Sequence, residues 1–313
     1  MPPPPVFRRV RAVRAFLWPW LMVALFAVEA LAEARPSPRM VYRFSASASL
    51  FARPGVADDG SLYVGAGDGN VHALGPDGSF RWSYTVKGRV LAPPLIEASS
   101  GHVFVATSDA RLYALDGDSQ LRWVLPLPAA PKTELVLTPT GILFYVGQDG
   151  FLYGVTTGGV LSLRLAAPKS RSAPALLSGA RLGLVLGEHL AILKGYGFER
   201  RALAASFGAD ATLALGPDSA VFACEEGVGR VERSATELAV AADCAWPPVR
   251  GDGFFAVASA GGELRLYFAD GSLGRVALGA ALLSPSWDAP RRRLVASSAT
   301  GAVSVLELVE AAN

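Results

Sequence analysis

Any chemistry in this chain has few residues to work with. Among 313 residues there are two cysteines, Cys224 and Cys244, and three histidines, His72, His102 and His189. Two cysteines exclude a four-thiolate zinc site, and histidines this scattered do not read as a metal centre. His72 and His102 fall in or beside strand-like runs with no carboxylate at ligand spacing, which predicts packing or surface roles. Asp68, Asp109 and Asp149 each precede Gly or Ala in a turn. Calcium would need several such oxygens converging, whereas an Asp in a turn already hydrogen-bonds its own backbone. Gly65-Ala66-Gly67-Asp68-Gly69-Asn70 has the glycine content of a phosphate loop. It lies between two strands rather than ahead of a helix, so it reads as a hairpin. No Gly-x-Ser-x-Gly elbow and no Ser, His and Asp grouping is present. The sequence assigns no catalytic residue, no metal and no cofactor.

The elements that would position a site come from one repeat. Pro54, Pro94, Pro174, Pro248 and Pro285 open similar stretches at gaps of 40, 80, 74 and 37 residues. Degenerate units near Glu134 and Ala211 turn these into spacings of 40, 40, 40, 37, 37 and 37. Each unit runs strand, turn, apolar strand, tight turn, alternating strand, Gly-rich turn, strand. The apolar second strands include SLYVGA, HVFVAT and ILFYVG, and the third strands include NVHAL, RLYAL and FLYGV. Four short strands in about 39 residues make one propeller blade. The Asp-Gly and Gly-Gly turns predict two-residue hairpins with positive φ at both central residues. Nearly continuous apolar second strands predict burial on both faces. A composition that is 51% apolar and 18% charged, with 33 Gly and 22 Pro scattered without a triplet period, excludes disorder, coiled coil and collagen.

The last unit ends after its third strand, AVSVLELV. Met40-Val41-Tyr42-Arg43-Phe44-Ser45 matches the fourth strands Phe80-Arg81-Trp82-Ser83-Tyr84 and Leu121-Arg122-Trp123-Val124. Residues 40–47 are therefore expected to pair with residues 302–309. The expected fold is all-β, a single seven-bladed β-propeller over residues 33–313, closed by an N-terminal strand that completes the last blade.

Residues 1–15 hold Arg8, Arg9, Arg11 and Arg14 and no acid, residues 16–32 are almost wholly apolar, and Ala30-Leu31-Ala32 follows the small-residue rule of a cleavage site. Residues 1–32 read as a secretory signal, with an uncleaved inner-membrane anchor as the alternative. No Cys follows for lipidation. Without residues 1–32 the chain loses four Arg and one Glu, leaving 25 basic and 26 acidic side chains, which argues against nucleic acid as a partner. The expected location is periplasmic or secreted. There, Cys224 and Cys244, at strand ends on one face of the fifth unit, either form a disulfide or remain two buried thiols.

Ala73-Leu74-Gly75-Pro76-Asp77-Gly78-Ser79-Phe80-Arg81-Trp82 and Ala114-Leu115-Asp116-Gly117-Asp118-Ser119-Gln120-Leu121-Arg122-Trp123 resemble the tryptophan-docking repeat of pyrroloquinoline-quinone-like propellers. The resemblance covers residues 50–125 and fades afterwards, with Leu163 and Arg275 at or near the tryptophan position of later units. It implies that Trp82 and Trp123 are structural. The family holds quinoprotein dehydrogenases, which bind quinone and calcium, and non-enzymatic barrel-assembly-type envelope scaffolds. Seven units, no long insertions and no adjacent cysteines place this chain nearer the scaffolds.

The crossings between the first units carry Lys87, Arg89, Lys132, Lys169 and Arg171, and three of the chain's four lysines are among them. Neighbouring turns carry Asp68, Asp109, Asp149, Glu188, Glu225 and Glu226. One reading is a solvated rim. The other is a docking face, with Lys87, Arg89, Lys132 and Arg171 converging around the axial opening. The function expected is an exported, non-enzymatic scaffold for a protein or peptide partner in the envelope. The alternative is a small-molecule sensor or a quinone-dependent oxidoreductase with its site at the axial pore.

Overall fold

A strand in this chain is short because a turn residue arrives every four to six positions. The computed structural model describes residues 37–203, 212–215, 221–225, 228–233, 236–242, 246, 249–259, 261–268 and 273–309, with few side chains between 212 and 242. The expected signal segment lies outside these residues. Among them there is no helix, and so none long and apolar enough to cross a membrane.

The described strands form seven four-stranded sheets, and in six the spatial order follows the sequence order. The first sheet is Gly55–Val56, Leu62–Gly65, Asn70–Leu74 and Phe80–Thr85. The second is Leu95–Ile96, Val103–Thr107, Arg111–Leu115 and Leu121–Pro126. The third is Val136–Leu137, Ile142–Val146, Phe151–Thr156 and Leu161–Ala166, and the fourth is Ala175–Leu177, Arg181–Leu186, His189–Lys194 and Gly197–Ala202. The fifth runs from Thr212–Leu215 to Thr236–Ala242 and the sixth from Val249–Gly251 to Leu273–Ala277. In the seventh, Ser286–Asp288, Arg293–Ser297 and Ala302–Val309 are joined on the outside by the N-terminal strand Ser37–Ser45. First strands start at residues 55, 95, 136, 175, 212, 249 and 286, the period expected from the prolines, which stand one residue earlier in most units.

The core lies between neighbouring sheets. Second strands such as Leu62–Gly65 and Val103–Thr107 are buried at every residue, as their unbroken apolar character requires. Phe104 and Leu112 of the second sheet pack in one cluster with Tyr145 and Tyr153 of the third. Leu62 and Val64 of the first sheet share a cluster with Val295, Val303 and Val305 of the seventh, against which Tyr42 and Phe44 pack.

The tight turns differ from the expectation of two left-handed residues. Gly69 has φ +88° and Asp68 is not left-handed. Gly69 N donates to Ala66 O (3.1 Å) and Ala66 N donates to Asn70 O (2.8 Å). This is a three-residue loop, a type I turn closed by one left-handed residue, which keeps the strand twist with only one position that resists a Cβ. Gly150 and Gly301 serve the same role, while Ala110 fills it at φ +55°. The fourth sheet does use two-residue turns: Leu186 pairs with His189 and Lys194 with Gly197.

Fourth strands dock on the next sheet. The Trp82 indole N–H donates to Gly117 O (2.8 Å) and that of Trp123 to Thr157 O (3.1 Å). Both indoles sit opposite a small residue one strand inward, Ala73 and Ala114. Leu163, opposite Gly154, holds the same place in the third sheet. In the sixth sheet the equivalent residue, opposite Leu266, is Gly274, so Arg275 lies one position off. Between seventh and first sheets the indole's two tasks are divided. The Tyr42 ring lies where a Cβ on Gly78 would be, 2.6 Å away, and Arg293 Nη1 donates to Pro76 O (2.7 Å), the carbonyl equivalent to that of Gly117. Burial, only partly offset by Arg293, pushes the Tyr42 hydroxyl up to about 12.

Candidate functional site

The crossings between sheets follow one rule. The residue leaving a fourth strand donates to the left-handed residue of its own sheet's tight turn: Val86 N to Gly69 O (2.9 Å), Leu127 N to Ala110 O (2.8 Å), Ala167 N to Gly150 O (2.9 Å). The crossing then bridges to the second strand's end in the following sheet, as in Val90 with Thr107 and Ser170 with Leu186. Crossings and tight turns therefore share a face, as the sequence predicts.

On that face a cavity of about 1140 Å³ is lined by crossing residues and first-strand starts. Lys132, Lys169 and Arg171 line it, and Lys132 Nζ donates to Ser170 O (3.2 Å). Lys87 and Arg89 do not, so the expected convergence of Lys87, Arg89, Lys132 and Arg171 is only partial. The reason is their place in the first crossing: Leu91, which makes the backbone bond that Lys132 and Arg171 make in theirs, lines the cavity there, and Lys87 and Arg89 precede it. The Arg89 guanidinium instead lies 5.6 Å from the ring of Phe51, which does line the cavity.

Across the cavity runs an ion pair that sequence reasoning missed. Arg53 Nε and Nη2 donate to the two Glu134 carboxylate oxygens (3.1 and 2.7 Å), and Arg53 Nη1 donates to Ser286 Oγ (2.9 Å). One guanidinium thus links the first, third and seventh sheets. The Glu134 carboxylate outweighs burial and raises the Arg53 pKa further. A signal for it existed. Arg53 and Glu134 each stand two residues before a first strand, where Pro93, Ala173 and Ser284 also line the cavity. Opposite charges in one column of a repeat that faces an axis are set to meet.

The remaining candidates have local duties. Asp68 Oδ1 accepts from Asn70 N (3.0 Å) and Oδ2 from Ser47 Oγ (3.1 Å). Burial raises its pKa, but the bonds from Asn70 and Ser47 outweigh that and hold it below the usual range. Asp109 accepts from Thr107 Oγ1 (2.6 Å) and Asp149 from Tyr153 Oη (2.6 Å). His102 meets a carboxylate after all: Nδ1 lies 3.4 Å from Glu97 Oε2, five residues away across the turn between the first two strands of the second sheet. His72 packs against Phe44 of the N-terminal strand with its ring centroid 5.5 Å distant, and its Nε2 is buried without a partner. Burial lowers the His72 pKa against a smaller opposing effect of Asp68. Cys224 lies in the strand Val221–Glu225, and Cys244 lies outside the described residues, as does the question of their pairing.

Residues 28–181, a little under half of the chain, match the family described as outer membrane protein assembly factor BamB. The outer membrane protein assembly factor BamB of Burkholderia pseudomallei is 44% identical over 59 residues, which is 18% of this chain and 15% of that protein. The crystal structure of BamB from Moraxella catarrhalis superposes with a TM-score of 0.57 at 19% identity, over 88% of this chain and 92% of that one, and shows a shared fold. The likeness of residues 28–181 is thus to pyrroloquinoline-quinone-like repeats, nearer to barrel-assembly factors than to dehydrogenases.

Proposed function

We propose that the protein is a seven-bladed propeller, closed by the strand Ser37–Ser45, that acts as a non-enzymatic scaffold for a protein partner in the cell envelope. Closure is supported by the place of that strand beside Ala302–Val309 and by the Tyr42 and Arg293 contacts with the first sheet. Export rests on residues 1–32 as a signal, with residues 33–313 as the working domain. The observation that carries the function is the match of residues 28–181 to assembly factors. In keeping with it, Asp68, Asp109 and Asp149 are each engaged by groups of their own turn or sheet. The docking face is the crossing face, with Lys132, Lys169 and Arg171 at the cavity and Lys87 and Arg89 beside it. If Cys224 and Cys244 are joined, they brace that face at the fifth blade.

Surface charge of this kind governs partner encounter more than folding. The test is to change Lys87, Arg89, Lys132 and Arg171 to Ser together and to recover partners from envelope extracts. The variant is expected to fold as the parent does and to lose its partner as salt is raised. A variant that folds and recovers the same proteins at every salt concentration places the docking face elsewhere.

A further inference from the structure

We infer that the cavity on the crossing face receives an extended acidic peptide segment, with the Lys169 ammonium holding one of its carboxylates. The inference rests on the scaffold reading above and gives its partner a chemistry. At about 1140 Å³ the cavity exceeds the ~300–1000 Å³ usual for a small-molecule pocket. Arg53 and Glu134 neutralise each other within it. Lys132 and Lys169 then stand against Glu188, an excess of positive charge. Lys132 Nζ is oriented by a carbonyl, Ser170 O, a contact that leaves the ammonium's charge uncompensated. Apolar side chains line the crossings of other sheets: Phe51 is 45% exposed, and Leu91, Trp246 and Pro285 complete the wall. With the lysines on two consecutive crossings and apolar side chains on others, one side of the cavity suits carboxylates and the other apolar groups, and an extended chain sends successive side chains to opposite sides. A free phosphate or a lipid headgroup would use the cations and leave the apolar wall idle.

The backbone supplies a second, independent observation. Lys169 has φ +56°, in the left-handed region. It stands two residues after Ala167, as Gly88 (φ +82°) stands two residues after Val86, and Ala167 and Val86 make the same crossing bond. Where one crossing has the glycine that fits, the other carries a strained lysine. Its ammonium has no carboxylate partner among the described residues, yet it lines the cavity. The Lys169 carbonyl accepts from Gly187 N (3.0 Å), so the crossing holds the left-handed backbone, and the side chain at the cavity wall is the part left to serve a ligand.

This makes the two effects of Lys169→Gly opposite in sign. The probe is a blocked, fluorescent peptide alternating aspartate with phenylalanine, titrated onto the full purified protein. The expected result is saturable binding that weakens with salt, is lost when the aspartates become asparagine, and falls about tenfold in Lys169→Gly while its Tm rises. Lys169→Met, which keeps the strain, should lose the same binding without the gain in Tm. Lys194→Ser, on the outer part of the fourth sheet, should bind as the parent does. Equal binding by the parent and both Lys169 variants, equal binding of the asparagine peptide, or full displacement by millimolar inorganic phosphate or by anionic phospholipid vesicles would each overturn the inference. If the peptide fails to bind while envelope partners still co-purify, the inference fails and the scaffold reading stands. If the peptide binds but no envelope protein co-purifies, the reverse holds.

Discussion

In the first and second sheets an indole on the fourth strand reaches a carbonyl of the next sheet, whereas in the fourth sheet that place belongs to Glu199. Glu199 sits opposite Ile192, as Trp82 sits opposite Ala73, but it is exposed and lies 3.7 Å from Lys194. The acceptors change in parallel. Gly117 and Thr157 are first residues of three-residue loops, while the fourth sheet joins its last two strands through only Gly195 and Tyr196. The third sheet, which faces that shorter turn, carries Leu163 in place of an indole. Leu163 packs with Leu193 and Phe198 against a shared buried cluster. Donor and acceptor therefore disappear together. Docking is a two-part device, and a sheet pair that loses one part reverts to plain apolar packing.

The seam between the seventh and first sheets is a third solution, with Tyr42 and Arg293 sharing the indole's work. Deleting residues 38–45 removes it together with Phe44 and leaves the strand Ala302–Val309 with an open edge. We expect a loss of about 5 kcal/mol or more, read as collapse of the cooperative thermal transition by circular dichroism. An unshifted Tm would mean that the seventh sheet does not depend on that strand. Next in size, Trp123→Ala should cost about 3–5 kcal/mol in urea unfolding, against about 0.5 kcal/mol or less for Glu199→Ala. Equal costs would erase the contrast between docked and undocked sheets.

Glu134→Ala leaves Arg53 without its partner across the cavity. Both side chains are about one-third exposed, so solvent screening limits the expected cost to about 1 kcal/mol. Ala110→Gly relaxes the one tight turn among the first three sheets that lacks glycine and should add about 0.5–1 kcal/mol, seen as a higher urea midpoint. The smallest effect concerns His72, at the seam beside Phe44. Its folded pKa is lowered from 6.5, so the unfolded chain binds the proton more readily. Stability from this group is complete above about 6.5 and is lost as the pH falls from there through the lowered folded value. The drop in Tm between neutral and mildly acidic buffer should shrink in His72→Phe. An identical drop would assign it to other groups.

Much of this was legible in the sequence because a repeat states each feature several times. The prolines gave the period to within a residue, and Trp82 and Trp123 announced docking because their surroundings recur. Tyr42 was found by matching Met40–Ser45 to Phe80–Tyr84. Features stated once were not legible. Arg53 with Glu134 and Arg293 with Pro76 join residues 81 and 217 apart, a proximity set by the arrangement of sheets and by nothing local. The tight turns were misread by one residue, because Asp-Gly fits both a two-residue turn and the end of a three-residue one. Lys87 and Arg89 were grouped with Lys132 because a crossing's residues are known from sequence, but the direction of their side chains is not.

The claim on which the rest depends is that the N-terminal strand completes the seventh sheet. Amide hydrogen exchange along Ala302–Val309 tests it directly, because alternate amides of that strand face Arg293–Ser297 and Ser37–Ser45. A completed sheet predicts protection at both sets, equal to that of Asn70–Leu74, an interior third strand of the first sheet. Free exchange confined to the set facing Ser37–Ser45 would contradict it.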